Sequence, residues 1–328
     1  MQGSGPATPE AVQVAAQLRD AFAGVGVCYI DGHRIHAERQ SQLLQQAQGF
    51  FDLPQSTKDS ISATASGSLR GYIGIGAESG SDAFEVKEAF SYGFPWSKSV
   101  APRNNLQGPN TWPSPDQLPG FQPAMQELFD DMVEVSLAIS GGLSLALGQA
   151  FGFLPRLCDA GNTISMMRLF RYFPYHRADD LPCGLAHPDR IGSSPHTDWG
   201  FLTLIVQQPG VTGLQVNLGN SWVDVPPVEG TIVVNGGDFL SLISGGVFRS
   251  PLHRVVSDGA TERLSFVLFY YPNYDAKIPV LDSLRQNLSL FDNQSLGRDP
   301  EAVGPSERLM PFGEFISNKW SQVQRSNT

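Results

Sequence analysis

The 328-residue chain is 41% hydrophobic and 16% charged, with 34 glycines and 24 prolines, which excludes a disordered polymer and suits a turn-rich globular body. A net charge of −10 and a pI near 5.0 exclude a general binder of phosphate backbones, because no dense lysine or arginine run offsets the acidic balance. The three cysteines, Cys28, Cys158 and Cys183, are far apart and form no CxxC pair, as expected of a reducing compartment rather than a disulfide framework.

The opening MQGSGPATPE has neither the basic nor the apolar segment of a secretory signal. No uncharged apolar run reaches membrane-spanning length, so a cytoplasmic location is expected. Residues 8–24 have helical apolar spacing, GVCYI at 26–30 reads as a short strand, and AERQSQLLQQAQGFFDL is helical again. Ser56 to Gly80, rich in Ser, Gly and Ala, reads as loop, and so does the Pro-, Asn- and Gly-dense stretch 99–120. Residues 121–152 then read as one long amphipathic helix, with a bend expected at Gly141-Gly142.

After residue 162 the pattern shifts to short strands. TISMMRLFRYF, FLTLIVQQ, GLQVN, SWVDV, GTIVVN, SPLHRVV and ERLSFVLFYY are separated by turn residues at spacings typical of an antiparallel sandwich or barrel. The tail LMPFGEFISNKWSQVQ is helical. The expected plan is a mixed, β-rich chain: a helical α/β region over 1–118, then 119–328 with the long helix, the strands and a C-terminal helix, the two integrated as one unit.

Chemistry concentrates at GSSPHTDWGFLTLIVQQ, where His196 and Asp198 precede an apolar strand. In a strand, residues i and i+2 share a face, so these two side chains are expected to project together. Of the other histidines, His33 and His36 are near the N-terminus and His176 and His187 sit in a polar loop. His253, inside SPLHRVV, is the remaining candidate for a third ligand. Two histidines and one carboxylate are the facial ligand set of non-haem Fe(II) oxygenases, and zinc also accepts them. Downstream, RLS puts Arg263 and Ser265 on one strand face, where a guanidinium fork and a hydroxyl could grip a carboxylate. The intervening turn SDGATE is expected to make the strands of His253 and Arg263 neighbours in one sheet.

HTD at 196–198, His253 and RLS at 263–265 together resemble the isopenicillin N synthase-like branch of the Fe(II)/2-oxoglutarate-dependent dioxygenases. VGVCYIDGHRI, FFDLPQSTKDSI, RGYIGIGAES and KEAF are similar to N-terminal landmarks of that family. VVNGGDFLSLISGGVFRSPLHRVV, RLSFVLFYYPNYD and PFGEF are similar to its C-terminal half. The resemblance implies a double-stranded β-helix (jelly-roll) core flanked by helices. It implies Fe(II) held by His196, Asp198 and His253, and 2-oxoglutarate held by Arg263 and Ser265 with help from Tyr172. Where the family's strand carries asparagine, this chain has Phe170.

The implied activity uses O2 to hydroxylate a small-molecule metabolite, or to introduce a double bond or ring, with release of succinate and carbon dioxide. No nucleic acid, membrane or obligate protein partner is expected. If 163–173 is a strand, Arg168, Phe170 and Tyr172 share a face. Arg168 could then meet an anionic or carbonyl group of the substrate, or form a rim salt bridge. Phe170 and Phe269 could line the substrate pocket, or Phe269 could be plain core. Arg171 and Arg254 face away. GYIGIGAESGSDAF and HRADDLPCGLAHPDRIG are candidate lids. A 2-oxoglutarate-independent Fe(II) oxidase of the same fold, a non-catalytic metabolite-binding protein and a zinc hydrolase remain alternatives.

Overall fold

The computed structural model describes residues 8–63, 69–77, 85–94, 96, 101, 106–158, 164–174, 191–219, 221–257, 260–277 and 310–326. Six α-helices are present among them: α1 (Pro9–Gly24), α2 (Ala37–Phe51), α3 (Gln55–Ser60), α4 (Phe121–Ala146), α5 (Asp238–Ile243) and α6 (Phe312–Ser326). The start of α1 shows why its sequence nucleates: the Thr8 hydroxyl accepts the Ala11 N–H at 3.2 Å, and Pro9 occupies a position whose N–H would be unused. None of the described helices is long and apolar enough to cross a membrane.

Among the described residues, eleven strands form two antiparallel sheets. They are β1 (Val27–Ile30), β2 (Gly71–Ile73), β3 (Lys87–Gly93), β4 (Met166–Tyr172), β5 (Ile191–His196), β6 (Leu202–Gln207), β7 (Leu214–Leu218), β8 (Ser221–Asp224), β9 (Ile232–Gly236), β10 (His253–Val256) and β11 (Arg263–Tyr270). The large sheet has the order β1-β9-β6-β11-β4-β3-β2 and the small one β5-β10-β7-β8. From β4 onward the chain alternates between the sheets, apart from the β7–β8 pair, which is the winding of a jelly roll.

Alternation along β11 separates two cores. Leu264, Phe266 and Leu268 point outward and join Phe50, Phe90, Phe121, Met125 and Leu128 under the helices. Residues of opposite parity point between the sheets, where Phe170, Tyr172, Ile205, Val233 and Val267 meet Leu214, Val216 and Val255 of the small sheet. The large sheet is thus covered on both faces, and β6 is buried along its whole length.

Several expectations change. Ser56 to Gly80 contains α3 and β2 rather than loop alone. The Lys58 ammonium, donating to Phe51 O and to Glu88 at 2.9 Å each, fixes α3 by tertiary contacts that local composition does not reveal. Gly141 and Gly142 lie inside uninterrupted α4, and a Cβ at either would overlap Phe151 or Leu18, so the pair serves close packing. The helix ends at Ala146, before the predicted 152. Residues 191–196, outside the strand runs read from the sequence, form β5. Finally, β10 and β11 belong to different sheets: the chain crosses the sandwich after Val256 instead of making a hairpin, so His253 and Arg263 are not sheet neighbours.

One close approach supports the site. Gly237, between β9 and α5, packs against the carbonyl of Gly200, where a Cβ would overlap backbone atoms. Gly237→Ala should therefore lower stability by about 1–3 kcal/mol. Urea denaturation checks this, and an unchanged midpoint would contradict the packing argument.

Candidate functional site

The ladder between β5 and β10 sets His196 directly opposite His253, although the pairing shifts register on either side of Val255. The two imidazole centroids are 4.3 Å apart. Asp198 lies beyond the end of β5, so strand alternation does not align it with His196 as expected. The start of α5 does that work: Asp238 N–H donates to Asp198 O at 2.7 Å, and Phe239 N–H to Gly200 O at 3.0 Å. The Asp198 carboxylate consequently stands 3.7 Å from the Nε2 of each histidine. One ligating atom from each of the three residues falls within 4.8 Å of the others.

Each of these groups is held from behind. His196 Nδ1 lies 2.7 Å from Ser194 O and His253 Nδ1 lies 3.0 Å from Pro251 O. A carbonyl only accepts, so each Nδ1 carries the hydrogen and each Nε2 presents a lone pair. Asn235 Nδ2 donates to Asp198 Oδ2 at 2.8 Å. Burial alone would raise the Asp198 pKa, but His253, His196 and the hydrogen bonds from Asn235 and Thr203 outweigh it and hold the carboxyl below its usual range. Desolvation first, and His253 second, lower the His196 pKa. An ionised carboxylate beside a neutral imidazole is the protonation state that a divalent cation needs.

The facing wall is the inner side of the large sheet. Arg263 pairs with Tyr172, and Ser265 with Phe170 on β4 and Gln207 on β6. The Arg263 guanidinium is 3% exposed, lies 5.2 Å over the Tyr172 ring and donates through Nη2 to Gln207 Oε1 at 2.9 Å. Its Nε and Nη1 have no hydrogen-bond partner among the described residues. Burial raises the Tyr172 pKa, against the lowering charges of Lys87 and Arg263. Two glycines make room: a Cβ on Gly192 would come within 2.7 Å of the Tyr172 ring, and one on Gly213 within 3.1 Å of Arg263 Cδ.

The remaining predicted residues fall as follows. Arg168 is 5% exposed on the same inner face, across from Val267, one step further along β4 than Phe170. Phe170 stacks on Tyr172 at 5.7 Å, and Phe269 packs half-buried against the inter-sheet cluster. Arg171 points outward, binding Glu262 at 2.8 Å and Asp52 at 3.1 Å, and Arg254 lies 4.3 Å over the Trp222 ring. His176, His187, Cys183, most of one proposed lid and half of the other lie outside the described residues.

Sequence reasoning missed Gln207, Asn235, Glu85 and Lys87. Gln207 and Asn235 each end an apolar run, which is the one local signal they give. Lys87 stood in KEAF without an assigned role.

A family model described as the 2OG-Fe(II) oxygenase superfamily matches residues 164–272, and one described as the N-terminal part of non-haem dioxygenases in morphine synthesis matches 2–115. A homoarginine-6-hydroxylase of Arabidopsis thaliana is 33% identical over 278 residues, covering 84% of this chain and 81% of its own. A clavatol oxidase of Penicillium crustosum is 32% identical over 298 residues, with 84% and 85% covered. Among solved structures, a full-length Neurospora crassa protein in complex with alpha-KG superposes with a TM-score of 0.74 at 24% identity, over 98% of this chain and 92% of that one.

Because Asn235 supplies the side-chain amide that orients Asp198, Asn235→Ala should keep the fold and weaken divalent-metal binding by about 10–100-fold. Calorimetric titration with Mn(II) measures this. Native-like affinity would show that the amide does not orient the carboxylate.

Proposed function

This chain belongs to the 2OG-Fe(II) oxygenase superfamily, and on that premise we propose that His196, Asp198 and His253 hold its Fe(II) while Arg263, Ser265 and Tyr172 hold its 2-oxoglutarate. Membership makes it a 2-oxoglutarate-dependent dioxygenase that oxidises a small metabolite with release of succinate and carbon dioxide.

The observation that carries the residue assignment is Arg263. A guanidinium enclosed between two sheets, with Nε and Nη1 unmatched among the described residues, is costly unless an anion meets it. The distal carboxylate of a dicarboxylate suits that fork, and the Ser265 and Tyr172 hydroxyls can add further bonds. Gln207 holds Nη2 and so fixes the plane of the fork. The donor set of the triad fits Fe(II): His196, Asp198 and His253 would hold it. Bound there, it would supply the redox chemistry between 2-oxoglutarate and dioxygen. Val216 and Val255 on one wall, with Ile205 and Val267 on the other, keep water out of the space between.

For the substrate, Arg168 is the inferred contact to an anionic or carbonyl group, and Phe170 and Phe269 are the inferred apolar contacts. On the inner face Arg168 stands between Phe170, which pairs with the Ser265 position, and Met166, which pairs with Phe269. This supports a location between the 2-oxoglutarate anchor and the next stretch of pocket wall. The relatives' names cover homoarginine hydroxylation, clavatol oxidation and azadirone synthesis, so none of those substrates is transferred to this chain.

Anaerobic addition of Fe(II) and 2-oxoglutarate should give the visible charge-transfer band of the chelate. Arg263→Ala should weaken 2-oxoglutarate binding roughly 100-fold through two lost charge-assisted hydrogen bonds. A native protein without the band, or an Arg263→Ala protein with unchanged 2-oxoglutarate affinity, would overturn the assignment.

Arg168→Ala should suppress succinate release stimulated by the active fraction of a metabolite extract while leaving 2-oxoglutarate affinity intact. An unchanged Michaelis constant for that substrate would remove Arg168 from the pocket.

A further inference from the structure

Glu85 is 2% exposed, just ahead of β3, and the reading above gives it no role. Its Oε1 accepts the backbone N–H of Ser194 at 2.7 Å. The carbonyl of that same Ser194 accepts the Nδ1 hydrogen of His196, also at 2.7 Å. The other carboxylate oxygen, Oε2, takes the Lys87 ammonium at 2.6 Å. A continuous path of three hydrogen bonds and the Ser194 backbone therefore runs from the first third of the chain to an imidazole of the triad.

The place of β5 in the fold gives this path its purpose. In the order β5-β10-β7-β8 it is an edge strand, with β10 on one side and, among the described residues, no strand on the other. An edge strand presents unpaired N–H and C=O groups and is held on one side alone. Here the second side is occupied by the Glu85 carboxylate, with Val86 N–H donating to Ile191 O at 3.4 Å at the far end of the strand. The ladder to β10 is itself irregular past His253, so it does not by itself fix the backbone at residue 194.

We propose that Glu85 is a positioning residue for His196: by clamping the Ser194 amide it fixes the carbonyl that orients the imidazole, and so aims Nε2 at the metal. Lys87 makes the clamp tolerable in a buried setting, because it supplies the charge partner an enclosed carboxylate needs. Burial alone would raise the Glu85 pKa, yet Lys87 and the Ser194 N–H together lower it, so the acceptor stays ionised. The inference rests on His196 being a metal ligand.

The test uses full-length variants titrated with Mn(II) in the presence of 2-oxoglutarate, with apo-protein melting as the check on folding. Glu85→Gln keeps an acceptor oxygen at the same reach and should bind Mn(II) within about threefold of the native chain. Glu85→Asp keeps the charge but withdraws the oxygen, and it should bind about tenfold more weakly, at the low end of the effect of supporting residues on metal sites. Glu85→Ala should match Glu85→Asp; if it does not fold, the Gln and Asp variants alone decide. Equal losses in Gln and Asp variants, or no loss in either, would overturn the proposal. His196→Ala serves as the reference: if it keeps native Mn(II) affinity, the ligand assignment fails rather than the role of Glu85.

Discussion

A cation enclosed between two β-sheets must be met by an anion, and much of this architecture follows from that requirement. Moving a guanidinium out of water costs several kcal/mol even after the protein relaxes around it. Arg263 recovers part of this from Gln207 and from the face of Tyr172, and part is left open. The opposite wall yields space for it: glycines stand at 192 and 213, where any side chain would press on Tyr172 or Arg263. The negative counterpart, Asp198, is equally enclosed and is compensated by two imidazoles and an amide. The small sheet thus contributes the imidazoles and the large sheet the guanidinium, and the pocket exists because the two sheets face one another.

A second polar system lies on the outer side of the large sheet and keeps the N-terminal elements in place. Arg171 binds Glu262 and reaches Glu88 and Asp52, while Lys58 closes the network from α3. Alternation along β4 separates the two systems: Arg171 serves the outside, and Arg168, Phe170 and Tyr172 face inward. Strand β3 pairs with β4 along its length, so Lys87, Ala89 and Ser91 extend the inner wall from the first third of the chain.

What could be read from the sequence is what period and residue type encode. Short apolar runs gave seven of the strands from β4 onward, and the pairing of residue types at His196, Asp198, His253, Arg263 and Ser265 pointed to the groups that the fold brings onto facing walls. Which sheet a strand joins is a different matter. SDGATE looks like a hairpin turn, yet β10 and β11 part company there, because sheet membership depends on distant partners such as β5 for β10 and β4 for β11. Asp198 shared a face with His196 for a reason other than alternation, namely the grip of α5 on the connecting loop. Asn235 and Glu85 escaped for a related cause: each meets the triad through a contact between residues far apart in the chain, and the end of an apolar run at Asn235 is too weak a local signal to reveal it.

The direct apposition of His196 and His253 across an irregular ladder has a bearing on folding itself. Moving β5 along β10 by one position would turn every side chain of the strand to the other face and separate the two imidazoles. An ion gripping both rings would act as a rivet through a single rung, holding the one alignment in which they face each other. Catalytic competence and strand alignment would then be two readings of a single molecular event.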